Sequence, residues 1–73
     1  MRTLRAWRIA RLMSVRDLAT KAGVSTKTVT ELEYGRQRPT FVTMRKIAAA
    51  LGVEPTEIEE FAVAMEQWGK DAA

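Results

Sequence analysis

Cysteine is absent from the 73 residues, and so is histidine. Without thiols or imidazoles there can be no disulfide, no zinc finger and no Cys or Ser-His nucleophile. Packing alone must hold a chain that has length for one domain and a thin core. No apolar run approaches the roughly 20 residues of a membrane span. The opening Met1-Arg2-Thr3-Leu4-Arg5 lacks the apolar stretch of a secretory signal, so the expected location is the cytosol. Repeats, low-complexity tracts and linkers are missing too. There is too little chain to enclose a cleft, and no ligand cluster for a metal or cofactor. These absences predict a binding protein without cofactors rather than an enzyme.

Charge is plentiful and unevenly placed. Through Val53, eleven basic residues outnumber three acidic ones (Asp17, Glu31, Glu33), a net +8. From Glu54 onward, six acidic residues outnumber Lys70 alone, a net −5. A basic region of this kind implies a polyanionic partner, nucleic acid first and an anionic membrane or acidic protein after it. The plainer alternative is that scattered arginines and lysines only keep a small domain in solution.

The chain punctuates itself as five helices, an all-α fold. Thr3 to about Met13 has few helix breakers. Ser14 can cap a second helix, with Asp17 completing a capping box, and Gly23 follows its end at Ala22. Ser25 caps a third helix that ends before Gly35. Pro39-Thr40 opens a fourth, with Phe41, Met44, Ile47, Ala48 and Leu51 at core spacing and Gly52 closing it. Glu54-Pro55 starts a fifth, in which Ile58, Phe61, Met65 and Trp68 recur at helical spacing. No segment alternates convincingly as a strand.

The run from Leu18 to Val29 has the features of a helix-turn-helix. Ala19 is small enough for two helices to cross, and Gly23 permits the positive φ of a tight turn. Leu18, Val24, Val29 and Leu32 tie the pair to the rest, leaving one polar side of the third helix free. In register with these stand Met13-Ser14, Asp17-Leu18-Ala19, Ala22-Gly23-Val24-Ser25, Leu32-Glu33, Gly35, Arg38-Pro39 and Ile47-Ala48…Leu51-Gly52-Val53. This combination resembles the Cro/C1-type (Xre) helix-turn-helix regulators of phages and bacteria, over about Leu4 to Ile58. The resemblance implies a compact five-helix, lambda-repressor-like domain that binds duplex DNA, usually as a dimer on a two-fold-related operator. One domain is expected over 1–73, with a core at 3–60 and a helical extension at 61–73.

By the same resemblance Thr26, Lys27 and Glu31 match the main base-reading positions, and Thr30 shares their outward side. The chemistry permits it. Lys can donate to guanine O6/N7, a Thr methyl can pack on a thymine methyl, and Glu can accept from cytosine N4. The alternative is a solvated polar face. Phosphate contacts are expected from Ser14, Arg16, Ser25, Tyr34, Arg36, Arg38 and Thr40, partly through helix N-termini. Arg38 has a second reading, packing near Pro39. The family's frequent glutamine after Ser14 is Val15 here, so that contact is either lost or moved to Arg16. Arg8 and Glu33 match a pair that bridges the first and third helices inside the domain. Arg2, Arg5 and Arg11 are read as a solvated basic field, Trp7 as core, and Met13 and Met44 as core fillers.

Ile58, Phe61, Met65 and Trp68 exceed what the end of one small domain needs, and Ile9, Leu12 and Val42 fall on faces usually polar. The tail either folds back to complete its own domain or forms a dimer interface. Its acidic character also suits a protein partner. The leading function is a sequence-specific, repressor-like DNA-binding regulator, associated with the nucleoid. The alternative is a DNA-binding antitoxin or an interaction adaptor using the acidic C-terminal helix.

Overall fold

Side-chain caps start four of the helices in the computed structural model, which describes residues 1–72 and their side chains through Gly69. Thr3 accepts the N–H of Ala6 and opens α1, Leu4–Ala10. Ser14 and Asp17 form a reciprocal capping box, both bonds 3.0 Å, and open α2, Val15–Ala22. Ser25 accepts from Thr28 at the start of α3, Thr26–Glu33, and Thr40 from Thr43 at the start of α4, Phe41–Leu51. Each cap satisfies an N–H that the helix itself cannot pair. A 3-10 turn, Pro55–Glu57, precedes α5, Glu59–Ala72. The fold is all-helical. Of the expected extension, Ala73 lies outside the described residues.

Two helix boundaries differ from expectation. The first helix stops at Ala10 rather than near Met13. Leu12 adopts a left-handed φ of 56°, and the Met13 N–H turns back to the Arg8 carbonyl at 3.1 Å. This reversal brings Ser14 into its capping position. The fifth helix does not run unbroken from Pro55, because Ile58 is extended at φ −101°, ψ 119°. Ile58 pairs with Arg2 in an isolated parallel bridge, in which the Glu59 N–H donates to the Arg2 carbonyl at 2.8 Å. Around that bridge Trp7 Nε1 donates to the Glu57 carbonyl at 2.7 Å, and the Leu4 N–H donates to Glu60 Oε1 at 2.8 Å. The N-terminal segment is therefore hydrogen-bonded to the 3-10 turn and the start of α5.

Every helix contributes to one core. Leu4, Leu18, Val29, Ile47 and Phe61 are all fully enclosed, and Ala19 is 2% exposed where α2 meets α3. Enclosing such aliphatic and aromatic side chains is worth about 1.5–3 kcal/mol each. Ile58 and Phe61, candidates for a dimer interface, are both 0% exposed and belong to this core. The tail folds back because the bridge at Ile58 aims α5 across the bundle. Met65 and Trp68 are half-buried against the same core. Phe41, expected in the core, is 53% exposed. It stands on the first turn of α4, beyond the end of the core at Met44, where its ring meets Trp68 at 4.3 Å. Ile9, Leu12 and Val42 face outward. No helix is long and apolar enough to cross a membrane among the described residues.

Candidate nucleic-acid interface

The helical repeat of α3 divides it into two sides. Val29 and Leu32 point into the core at 0% and 1% exposure. Glu33, one residue further, receives a two-pronged bond from Arg8: Nε to Oε2 at 2.6 Å and Nη2 to Oε1 at 3.2 Å. Arg8 Nη1 also donates to the Met13 carbonyl at 2.9 Å. One guanidinium thus ties α1 to α3 and to the turn before α2. The bond to Glu33 raises the pKa of Arg8 despite the opposing effect of burial, so the group stays charged.

With that side fixed, Thr26 and Lys27 stand exposed on the other, and Thr30 and Glu31 lie half-buried along the flanks. Tyr34 ends the helix 70% exposed. The guanidinium of Arg36 lies 5.1 Å from the centre of the Tyr34 ring, so these two form one unit. The structure therefore brings Thr26, Lys27, Tyr34 and Arg36 onto one helix and the turn after it. Arg38 sits further along, its guanidinium 4.7 Å from the centre of the Trp68 ring.

The hydroxyls of Ser14, Ser25 and Thr40 are all engaged in caps. Thr40 also donates its hydroxyl hydrogen to Thr43 Oγ1 at 3.0 Å, and Ser25 shares a hydrogen bond with Thr28 Oγ1 at 2.9 Å. With the hydroxyls so engaged, the donors left at these helix starts are the first-turn backbone N–H groups that no cap takes, with the helix dipole behind them. Arg16 is exposed on the first turn of α2. The capping bonds from Ser14 hold the Asp17 carboxyl below its ordinary pKa.

The arginines expected in a solvated field divide. Arg11 does not belong to it: its Nε donates to the Leu51 carbonyl at 2.9 Å, closing the C-terminal end of α4. Arg2 and Arg11 both stack near Trp7, at 5.0 Å and 5.2 Å. Trp7 itself is half-buried and packs against the core. Among the described residues no group of three acidic side chains gathers where it could hold a metal ion.

Sequence reasoning missed the aromatic partners of Arg36 and Arg38 and the use of Glu60 as a cap for α1. Tyr34 and Arg36, two residues apart, were findable by proximity. The others join residues 30 or more positions apart and leave no local signal.

The helix-turn-helix family model matches residues 4–58, about three quarters of the chain. No curated protein and no solved structure matches.

Proposed function

This chain belongs to the Cro/C1-type (Xre) family of helix-turn-helix DNA-binding regulators, and from that premise we propose that it is a sequence-specific, repressor-like regulator that lays α3 in the major groove. The observation that supports this reading is the division of α3: Arg8–Glu33, Val29 and Leu32 hold one side, and Thr26 and Lys27 stand in water on the other. A helix held this way presents its side chains to base edges in a fixed register. Lys27 donates to guanine, Thr26 packs on a thymine methyl, and Thr30 and Glu31 read the flanking positions. Arg16, Tyr34, Arg36, Arg38 and the starts of α2, α3 and α4, at Ser14, Ser25 and Thr40, hold phosphates. These contacts carry affinity without sequence choice and weaken with salt.

The regulator acts as a homodimer, with two copies of α3 about 34 Å apart on a two-fold-related site. Exposed apolar side chains support a protein contact. Val63 is 55% exposed beside a groove of about 360 Å³ lined also by Leu32, Gly35 and Pro39. With Ile58 and Phe61 inside the core, such a contact falls to Val63 and the exposed edges of Met65 and Trp68. Selection of bound duplexes from a random pool, followed by footprinting, tests the reading. The expected result is a two-fold-symmetric sequence with half-sites one helical turn apart. Duplexes bound without preference at moderate salt would overturn it. Sedimentation at micromolar concentration tests the dimer separately.

A further inference from the structure

We propose that the outer face of α1 docks on the outer face of α5 in a second copy of this chain, with Leu12 as the apolar anchor. The inference rests on the homodimer reading and deepens it, because it names the surface that meets Val63.

Leu12 holds a left-handed φ of 56° and is 92% exposed. A leucine in that region is strained, and one so exposed gains almost nothing from packing in its own domain. Glycine would close the same turn without the strain. Strain that has no return inside the fold gathers at sites that bind something. Beside this turn, α1 leaves Arg5, Ala6, Ile9 and Ala10 exposed, and the Ile9 carbonyl accepts the Leu12 N–H at 2.9 Å. Arg5 and Ile9 stand one turn apart on a single side of the helix. The α1 face is thus one cation followed by two apolar side chains.

The α5 face is its complement. Glu59, Val63 and Glu66 are all exposed, at i, i+4 and i+7, along one side of the helix. Val63 therefore lies between two carboxylates. The groove of about 360 Å³ beside it, lined also by Glu59, Leu32 and Pro39, gives an apolar side chain a seat. Among the described residues, the Arg5 guanidinium and the Glu59 and Glu66 carboxylates have no ion-pair or hydrogen-bond partner. The wider fields agree, net +8 through Val53 and −5 from Glu54. Within one copy the two helices are held start to start by the Arg2–Ile58 bridge and the Leu4–Glu60 bond, and both faces still meet water. Bringing them together takes a second molecule. Phe41 and Val42 are exposed too, but neither is strained, and the Phe41 ring already rests on Trp68.

The test is self-association of the full chain without DNA, read by sedimentation equilibrium over the micromolar range at about 0.1 M salt. Arg5→Glu makes the α1 face acidic. Glu59→Arg combined with Glu66→Arg makes the α5 face basic. Each variant alone should associate roughly tenfold more weakly than the parent or worse, because like charges then face one another. An equimolar mixture of the two variants puts opposite charges together in every contact and should associate about as tightly as the parent. Leu12→Gly should weaken association roughly tenfold, the loss of one enclosed leucine, although it relieves strain in the fold. A parent that associates while the mixture does no better than either variant alone overturns the proposal and leaves the homodimer to another surface. Parent-like association by either charge variant alone, or by Leu12→Gly, overturns it as well. A parent that stays monomeric overturns the proposal together with the homodimer reading, and leaves the α1 face to an acidic protein of another kind.

Discussion

On its inner side α3 carries Val29 and Leu32, closed to solvent, and Glu33, whose carboxylate takes two N–H groups of Arg8. On its outer side it carries Thr26 and Lys27 in water. Groups on the inner side are desolvated, so their worth is realised at folding. Groups on the outer side keep their hydration on folding and, on the proposed reading, give it up only to DNA. Substitutions on the two sides should therefore fail in different assays, although they sit on the same eight residues. The inner side fixes where the helix lies, and the outer side what it meets.

The largest effect is expected on the inner side. Glu33→Ala leaves the Arg8 guanidinium without its charged partner, in a site where the two side chains are 12% and 6% exposed. Stranding a charge at that depth costs about 3 kcal/mol. Urea titration should show this as a lowered midpoint at unchanged slope. An unchanged midpoint would break the comparison, because the inner contacts would then carry no stability.

On the outer side the pattern reverses. Lys27→Ala should leave the urea midpoint within about 0.5 kcal/mol of the parent. It should weaken binding to the selected duplex by about 1–3 kcal/mol and relax the preference at one base step. Arg36→Ala, on the turn beyond, should weaken all duplexes nearly equally and lower the slope of log K against log salt by about 1. Equal losses on every duplex for both variants would remove the division between reading and holding.

How much of this was legible in the sequence follows from the range of the interactions. The caps at Ser14, Ser25 and Thr40 and the left-handed ends at Gly23 and Gly52 are local chemistry, and they stand where the sequence places them. The two-sided character of α3 follows from spacing alone. Phe41 kept core spacing with Met44 and Ile47 but lies outside the core, since spacing does not say where a core ends. The break at Ile58 depends on Arg2, 56 positions away. Nothing near Arg11 in the sequence announces its acceptor, the Leu51 carbonyl, 40 positions distant. The positive φ at Leu12 carries no sequence signal, because leucine is not a residue that favours it.

That same turn offers a smaller effect. Leu12 is 92% exposed, so its side chain gains little from packing. A non-glycine residue in the left-handed region is strained, and glycine relieves the strain at some entropic cost. Leu12→Gly should raise stability by about 0.5–1 kcal/mol, readable as a higher melting temperature. Since Arg8 bonds to the adjacent Met13 carbonyl, the gain should shrink when combined with Glu33→Ala if the turn and the ion pair support one another. Full additivity would show that the inner side of α3 does not depend on how the turn before α2 is closed.

The smallest effect concerns the start of α2, the helix that packs against α3. The Asp17 carboxylate accepts the Ser14 N–H, and this bond holds its pKa below the ordinary aspartate value. A depressed folded-state pKa means that at moderately acid pH the unfolded chain binds the proton more readily than the folded one. The contribution is therefore complete above the unfolded value of about 3.9 and is lost as pH falls through the lower folded value. Asp17→Asn removes the charge at every pH. The parent should melt higher than this variant near neutrality, and the two curves should converge as acid protonates Asp17. Because the carboxylate is fully exposed, the difference should be small and should shrink with added salt. A gap that persists unchanged into strong acid would assign the effect to the geometry of the capping bond rather than to its charge.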